Sequence, residues 1–244
     1  LRIVCISDTH TYGPIMQRPI PLGDVLIHSG DLTFRGTETE VRAELTWLAS
    51  QPHENKLFIA GNHDFFFDPN HPAEFRGWKL RPHIEVADML AELPGLTYLE
   101  DSGVLIDGII FYGSPWQPPF YDWAFNLGSR GNPSAQEVWS NIPLDTNVLI
   151  THGPPAGILD WTYDTMRKPH YLNNDEYDFG GRDNRKGCPV LREKIAELKQ
   201  LKLHTFGHLH EAYGFEERDG VMFFNAAINT REYEPINPPM VFDL

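Results

Sequence analysis

Apolar residues fall along this chain in short runs separated by polar, Gly- and Pro-containing stretches, and in two places they recur instead at helical spacing. Runs at Arg2 to Ile6, Val25-Leu26-Ile27, Leu57-Phe58-Ile59-Ala60, Thr97 to Leu99, Val104 to Ile106, Ile109 to Tyr112, Val148-Leu149-Ile150, Leu203 to Phe206, Val221 to Phe224 and Val241-Phe242 predict short strands, with another at Phe215. Asp107-Gly108 and Asp219-Gly220 stand between neighbouring runs, as a hairpin turn requires. Val41, Leu45 and Leu48 occupy i, i+4 and i+7 behind Thr37, and Thr37 with Glu40 reads as a capping box, so a helix runs from Thr37 to about Ser50. Pro189 opens a second such helix, carrying Leu191, Ile195 and Leu198. Shorter helices are predicted from Ile84 to Leu93, where Pro94-Gly95 stops the chain, and near Ser134 to Ser140.

Strand, helix and strand in succession give a βαβ outline and an α/β class. Between the periodic segments, Phe65 to Pro82 is aromatic and Pro-interrupted, a loop with room for a short helix. Gly113 to Arg130 carries Trp116, Phe120, Tyr121, Trp123 and Phe125 among prolines, a rigid aromatic loop. Residues 160–187 are polar and mixed in charge, which predicts an exposed insertion or lid. No repeat or linker divides the chain, so residues 1–244 are expected to form one domain.

Composition narrows the picture. With 244 residues and 41% hydrophobic content the chain can bury a full core. No run nears the roughly 18 apolar residues of a membrane helix, and no charged-then-apolar leader opens the sequence. The chain starts in a strand at Leu1 without an initiator Met, as loss of a short segment would leave it. Cys5 and Cys188 are too few for a disulfide framework and point to a reducing compartment, the cytoplasm. Acidic residues outnumber basic ones 34 to 20, a net charge of −14, which disfavours wide contact with duplex nucleic acid. A phosphate-binding protein of this sign needs local positive charge, and two bound divalent cations would supply it.

Candidate chemistry sits at the strand ends. They carry Asp8 and His10, Asp31, Asn62 and His63, His152, and His208 with His210. Open α/β sheets place ligands at such ends, and i, i+2 side chains of an extended segment share a direction, so Asp8 with His10 and His208 with His210 can each converge. Oxygen and imidazole donors without cysteine favour Mn, Fe or Zn over Cu(I) or an iron–sulfur cluster. Singly, each motif reads equally as an ordinary turn or cap. Of the other histidines, His28 and His204 read as core or sheet-edge residues, and His53, His71, His83 and His170 as solvated loop residues.

The ordered set Asp8-x-His10, Gly30-Asp31, Gly61-Asn62-His63-Asp64, a strand-end His152 and Gly207-His208-x-His210 resembles the calcineurin-like metallophosphoesterase superfamily. Gly113-Ser114-Pro115-Trp116, Asp122-Trp123-Ala124-Phe125-Asn126, Thr151-His152-Gly153-Pro154-Pro155 and Asn237-Pro238-Pro239 are similar to its metallophosphoesterase-domain branch, which is associated with cyclic-nucleotide phosphodiesterase activity. The resemblance implies an α/β fold of two mixed sheets packed as a sandwich and flanked by helices. It implies two divalent ions, manganese first with iron or zinc as alternatives. Asp8, His10 and His210 would hold one ion, Asn62, His152 and His208 the other, and Asp31 both. The implied reaction is in-line attack on a phosphodiester of a small, cyclic nucleotide by a hydroxide shared between the ions, with His63 on the leaving-group side and Asp64 bonded to His63 or a ligand imidazole. Gly30-Asp31 continues as Leu32-Thr33-Phe34-Arg35-Gly36, unlike the protein phosphatases, which have Val-Asp-Arg-Gly there and Glu in place of Asp64. Rival readings are a phosphomonoesterase or nucleic-acid end-processing enzyme, and a non-catalytic metal-binding scaffold. Trp116, Phe120, Tyr121 and Trp123 are candidates to stack a base or simply to pack the loop. Arg35, Arg182, Arg185 and Lys186 are candidates to meet phosphate or merely to solvate the surface.

Overall fold

The computed structural model describes residues 1–72, 74–75, 77–79, 86–162 and 184–244. In chain order the strands are β1 (Arg2–Ile6), β2 (Val25–Ser29), β3 (Asn55–Ile59), β4 (Glu74–Phe75), β5 (Trp78–Lys79), β6 (Leu96–Tyr98), β7 (Ser102–Ile106), β8 (Ile109–Ser114), β9 (Val148–Thr151), β10 (Leu203–Phe206), β11 (Gly214–Arg218), β12 (Val221–Asn225) and β13 (Met240–Asp243). The helices are α1 (Glu38–Ala49), α2 (Val86–Ala91), α3 (Ala135–Ser140) and α4 (Pro189–Glu197). One sheet has the order β13-β1-β2-β3-β6 and a second the order β11-β12-β10-β9-β8-β7, with β4 and β5 as a separate hairpin. The expected α/β sandwich of two mixed sheets is therefore present.

Alternation along the central strands explains why two sheets stack. Ile3, Cys5, Val25, Ile27, Leu57 and Ile59 of the first sheet share one buried cluster with Phe111, Val148, Ile150, Leu203 and Phe224 of the second. The residues between them, Val4, Ile6, Leu26 and Phe58, turn the other way and pack with Val41, Leu45 and Leu48 of α1. Both faces of these strands are buried, so each run reads as continuously apolar rather than alternating. A side chain such as Phe58, fully buried, gains roughly 2–3 kcal/mol from leaving water.

The centre of each sheet is parallel: β1, β2, β3 and β6 run together, as do β8, β9, β10 and β12. Antiparallel partners stand only at the edges, β13 on β1, β7 on β8 and β11 on β12. Parallel order brings the carboxyl ends of β1, β2 and β3 to one rim, and those of β9 and β10 likewise. A bridge between Ser7 and Ala227, and the Ser29 and Thr205 hydroxyls 3.2 Å apart, join the two rims.

Local signals held with three adjustments, the first being that part of the stretch expected as a loop, Phe65 to Pro82, pairs as the β4–β5 hairpin. Thr37 caps α1, accepting from the Glu40 N–H at 3.3 Å, but the Glu40 carboxylate accepts from the Arg35 N–H at 2.8 Å instead of closing a box. The reciprocal box forms at α3, between Ser134 and Glu137. His53 and His71 are buried rather than solvated: His53 Nε2 lies 2.9 Å from the Pro21 carbonyl, and the His71 ring is 4.5 Å from Phe65. Both hairpin turns are as expected, with Asp107 and Gly108, and Asp219 and Gly220, at positive φ. Cys5 and Cys188 are buried and free. Among the described residues no helix is long and apolar enough to cross a membrane. Most of the expected insertion at 160–187, with Arg182, His83 and His170, lies outside the described residues.

Candidate metal centre

The strand ends deliver their polar residues to one buried spot, though not by strand geometry. Asp8, His10, Asp31 and His208 adopt φ of 54°, 45°, 54° and 67°, so the chain turns through the left-handed region as it leaves β1, β2 and β10. Convergence of Asp8 with His10 thus comes from tight turns, and the i, i+2 argument gave the right neighbours for the wrong reason. Such conformations cost of order 1–3 kcal/mol each and persist only where surroundings enforce them. Here the Asp8 N–H donates to the Gly30 carbonyl at 2.9 Å and the His10 N–H to the Asp31 carbonyl at 3.1 Å. Glycine next to the ligands makes the approach possible: a Cβ on Gly207 would strike Asp8 Oδ2 and Ser7 Oγ, and one on Gly61 would strike Asp31.

Backbone carbonyls dictate the state of the imidazoles. Nδ1 of His10 lies 3.0 Å from the Thr33 carbonyl, that of His63 2.8 Å from Phe34, that of His152 3.0 Å from Ser29 and that of His210 2.9 Å from Thr230. A carbonyl can only accept, so every Nδ1 carries a proton and every Nε2 is left to face the centre. This is how metal-binding histidines are oriented, by a second partner that fixes tautomer and ring angle.

What the Nε2 atoms meet are more lone pairs. His10 Nε2 and His210 Nε2 are 3.2 Å apart, and His210 Nε2 is 3.2 Å from Asp8 Oδ1. On the other side His152 Nε2 is 2.9 Å from Asn62 Oδ1 and 3.4 Å from Asp31 Oδ1. Asp31 Oδ2 lies 3.7 Å from His10 Nε2, so its two oxygens look toward different halves of the site. Asp8, His10 and His210 form one group of close donors, Asp8, Asp31 and His152 another, and His10, Asp31 and His63 a third. His208 belongs to none of these among the described residues, but its ring stands 5.1 Å from that of His152.

So many acceptors at hydrogen-bond distance repel one another unless positive charge lies among them, and the titration of the site carries the same demand. Burial works against ionised Asp8 and Asp31, yet His210 and His152 respectively hold both carboxyls below their usual range. His152 is pushed up to about 9, Asp31 overcoming burial, and His210 is raised by its bond to Asp8. Burial holds His10 and His208 down to about 3, so both keep lone pairs available. Hard and borderline divalent cations fit this oxygen and imidazole set.

One neighbour takes a role other than that expected. Among the described residues the Asp64 carboxylate forms no hydrogen bond to His63 or to another imidazole. Its carboxylate accepts from the N–H groups of Leu32 at 3.1 Å, Thr33 at 2.9 Å and Gly61 at 2.8 Å, and from the Thr33 hydroxyl at 2.7 Å. It clamps the loop bearing Asp31 to the loop bearing Asn62, and burial together with Asp31 raises its own pKa to about 7. His28 and His204 are core residues, not sheet-edge ones, each beneath a residue next to a ligand: Nε2 of His28 is 2.9 Å from the Thr9 hydroxyl, and that of His204 2.8 Å from Thr151. Glu44 of α1 reaches the same Thr9 hydroxyl, and burial pushes its pKa to about 8.

The aromatic loop divides. Trp116 is buried, donates to Asp101 at 2.8 Å and packs on Phe125, so it belongs to the core. Trp123 and Phe120 do border the centre, with rings 4.1 Å from His63 and 5.1 Å from His208, and Tyr121 backs Phe120. Arg185 is held by buried Asp160 at 2.7 Å. Reading the sequence missed three residues brought in by the turn after β12. Asn229 donates to the Asp8 and Thr9 carbonyls, Thr230 orients His210, and the Tyr233 ring stands 5.0 Å from His10. No local motif marks them: Asn229 and Tyr233 lie more than 200 residues from Asp8 and His10, and Thr230 lies 20 residues beyond His210.

Comparison with known proteins agrees with this geometry. The model of the calcineurin-like phosphoesterase family matches residues 1–212. The human Metallophosphoesterase domain-containing protein 1 is 40% identical over 252 residues, covering 100% of this chain and 71% of that protein. A UPF0046 protein of Caenorhabditis elegans is 36% identical over 99% of this chain and 74% of its own. A solved crystal structure only 11% identical covers 92% of this chain and 89% of its own at a TM-score of 0.55, and so shares the fold. Together the family and the Asp/His cluster support metal-dependent hydrolysis of phosphoric esters. The chain belongs to the calcineurin-like phosphoesterase family.

Proposed function

We propose that the protein is a dinuclear phosphodiesterase for small nucleotides, cyclic ones foremost. The observation that carries this reading is the set of imidazoles locked by carbonyls, with Nε2 atoms converging on Asp31 from both sides. Asp8, His10 and His210 would hold one cation, Asn62, His152 and His208 the other, and Asp31 one with each oxygen. Manganese is the first candidate, with iron and zinc suiting the same donors. Bound there, the cations supply charge to offset phosphate oxygens and acidify water.

The chain's own part begins with His63. Because Phe34 takes its Nδ1–H, only Nε2 can hold or pass a proton, and the ring is fixed between His10 at 4.5 Å and Trp123 at 4.1 Å. Hydrolysis breaks one P–O ester bond, forms another from water, and transfers the proton that water gives up to the departing alkoxide; Nε2, its lone pair free, is the atom placed to take that proton and pass it on. Aromatic rings at the rim exclude water and offer faces to a base. The net charge of −14 repels polyanions and favours small substrates.

The test is a comparison of initial rates on manganese-loaded protein with bis(p-nitrophenyl) phosphate, p-nitrophenyl phosphate, and 2′,3′- and 3′,5′-cyclic nucleotides, each repeated after chelation. We expect diesters to outpace the monoester and chelation to abolish turnover. A faster monoester, or diester turnover that survives chelation, overturns the proposal.

A further inference from the structure

We propose that Phe34 and Tyr233 form the seat for the planar base of the substrate, on the His10 and His210 side of the centre. This rests on the nucleotide reading above and names the part of the site that recognises the base.

Two aromatic groups border the centre, and Phe34 is the ring among them most open to solvent. Phe120 packs edge-on against His208, Tyr121 and Trp123, and the Trp123 ring stands at 89° to His63. The Trp123 Nε1–H is shielded from solvent. These rings form a wall. Phe34 is the opposite case, an aromatic ring 37% exposed although it stands 5.7 Å from His63 and 6.1 Å from His10. Its backbone is tied into the site, since its carbonyl holds His63 and that of Thr33 holds His10. The exposed ring is therefore presented at a fixed place beside the reacting phosphate rather than on a loose loop.

Tyr233 completes the seat. Its ring meets Phe34 at 5.5 Å and 69°, and stands 5.0 Å from His10 and 5.3 Å from His210. It is carried at φ 61° on a turn closed by the Tyr233 N–H donating to the Thr230 carbonyl, whose oxygen also orients His210. Non-glycine backbone in that region is strained, and this turn holds it there. A base lying on Phe34 would meet the Tyr233 ring near one edge, where a phenol offers both apolar area and a polar handle.

The experiment measures, by calorimetry on manganese-loaded protein, the ratio of the Kd of ribose 5-phosphate to that of AMP, two ligands that differ by the base. Stacking on one aromatic face corresponds to about 5- to 150-fold in affinity. We expect a ratio of about 10 or more in the unaltered protein, a fall to about 1 in Phe34→Ala, recovery in Phe34→Tyr, and a fall of about threefold in Tyr233→Phe. A ratio near 1 in the unaltered protein, or one that Phe34→Ala and Phe34→Leu leave intact, overturns the seat. Trp123→Ala abolishing the ratio while Phe34→Ala spares it would move the seat to the opposite wall. Loss of phosphodiester turnover in the rate assay would count against the proposed reaction and not against the seat, which is read from binding.

Discussion

Replacing Asp64 by alanine tests the clamp between the Asp31 and Asn62 loops, and the structure sets the size of the effect. Four buried donors end on this carboxylate. The Thr33 hydroxyl keeps an alternative acceptor in the His63 carbonyl at 3.1 Å, which leaves the N–H groups of Leu32, Thr33 and Gly61 without partners. Each orphaned donor costs about 1–3 kcal/mol, and water entering the vacated space restores part, so the loss should be about 4 kcal/mol. In a protein of this size that corresponds to a fall in Tm of about 8–16 °C. Urea unfolding at pH 8, above the value to which burial and Asp31 raise Asp64, in chelator so that bound cations add nothing, measures it directly. Asp64→Asn keeps one oxygen and should lose about half as much. A loss under about 1 kcal/mol for Asp64→Ala, with unaltered manganese affinity, would refute the clamp.

Glu44 gives a pH dependence. Its folded pKa of about 8 exceeds its ordinary 4.5, so the folded state holds the proton longer and its contribution to stability falls as pH rises from about 4.5 to 8; urea midpoints across that window should slope downward, and Glu44→Gln should make the slope shallower, Asp64 and His152 keeping the rest. Asp31→Asn keeps the shape of the carboxylate but not its charge, so elemental analysis should find one ion fewer per chain and turnover should drop about a thousandfold. Gly207→Ala forces Asp8 aside, and should lower manganese affinity about tenfold or more while circular dichroism stays native.

Much of this architecture was legible because its strands are short, apolar and buried on both faces, and because Asp-Gly pairs mark two of the hairpins. The donors of the centre stood at strand ends for the same reason. Long-range facts were not legible: that Asp64 serves the backbone and not an imidazole depends on how the β2 and β3 loops meet. His53 looked solvated because a Pro-flanked loop gives no hint that it folds inward onto Pro21. Glu40 formed half a capping box because its carboxylate accepts from the Arg35 N–H instead. Tyr233 carried no motif, since only the turn after β12 brings it over His10.

Asp8, Asp31, Asn62 and His63 belong to the first sheet, while His152, His208 and His210 belong to the second. Ions held between these groups would act as rivets through two plates. Any sliding of one layer over the other would alter the gap between the rivets before it disturbed the apolar filling, so substitutions deep between the layers, far from any ligand, should register first as changed metal occupancy.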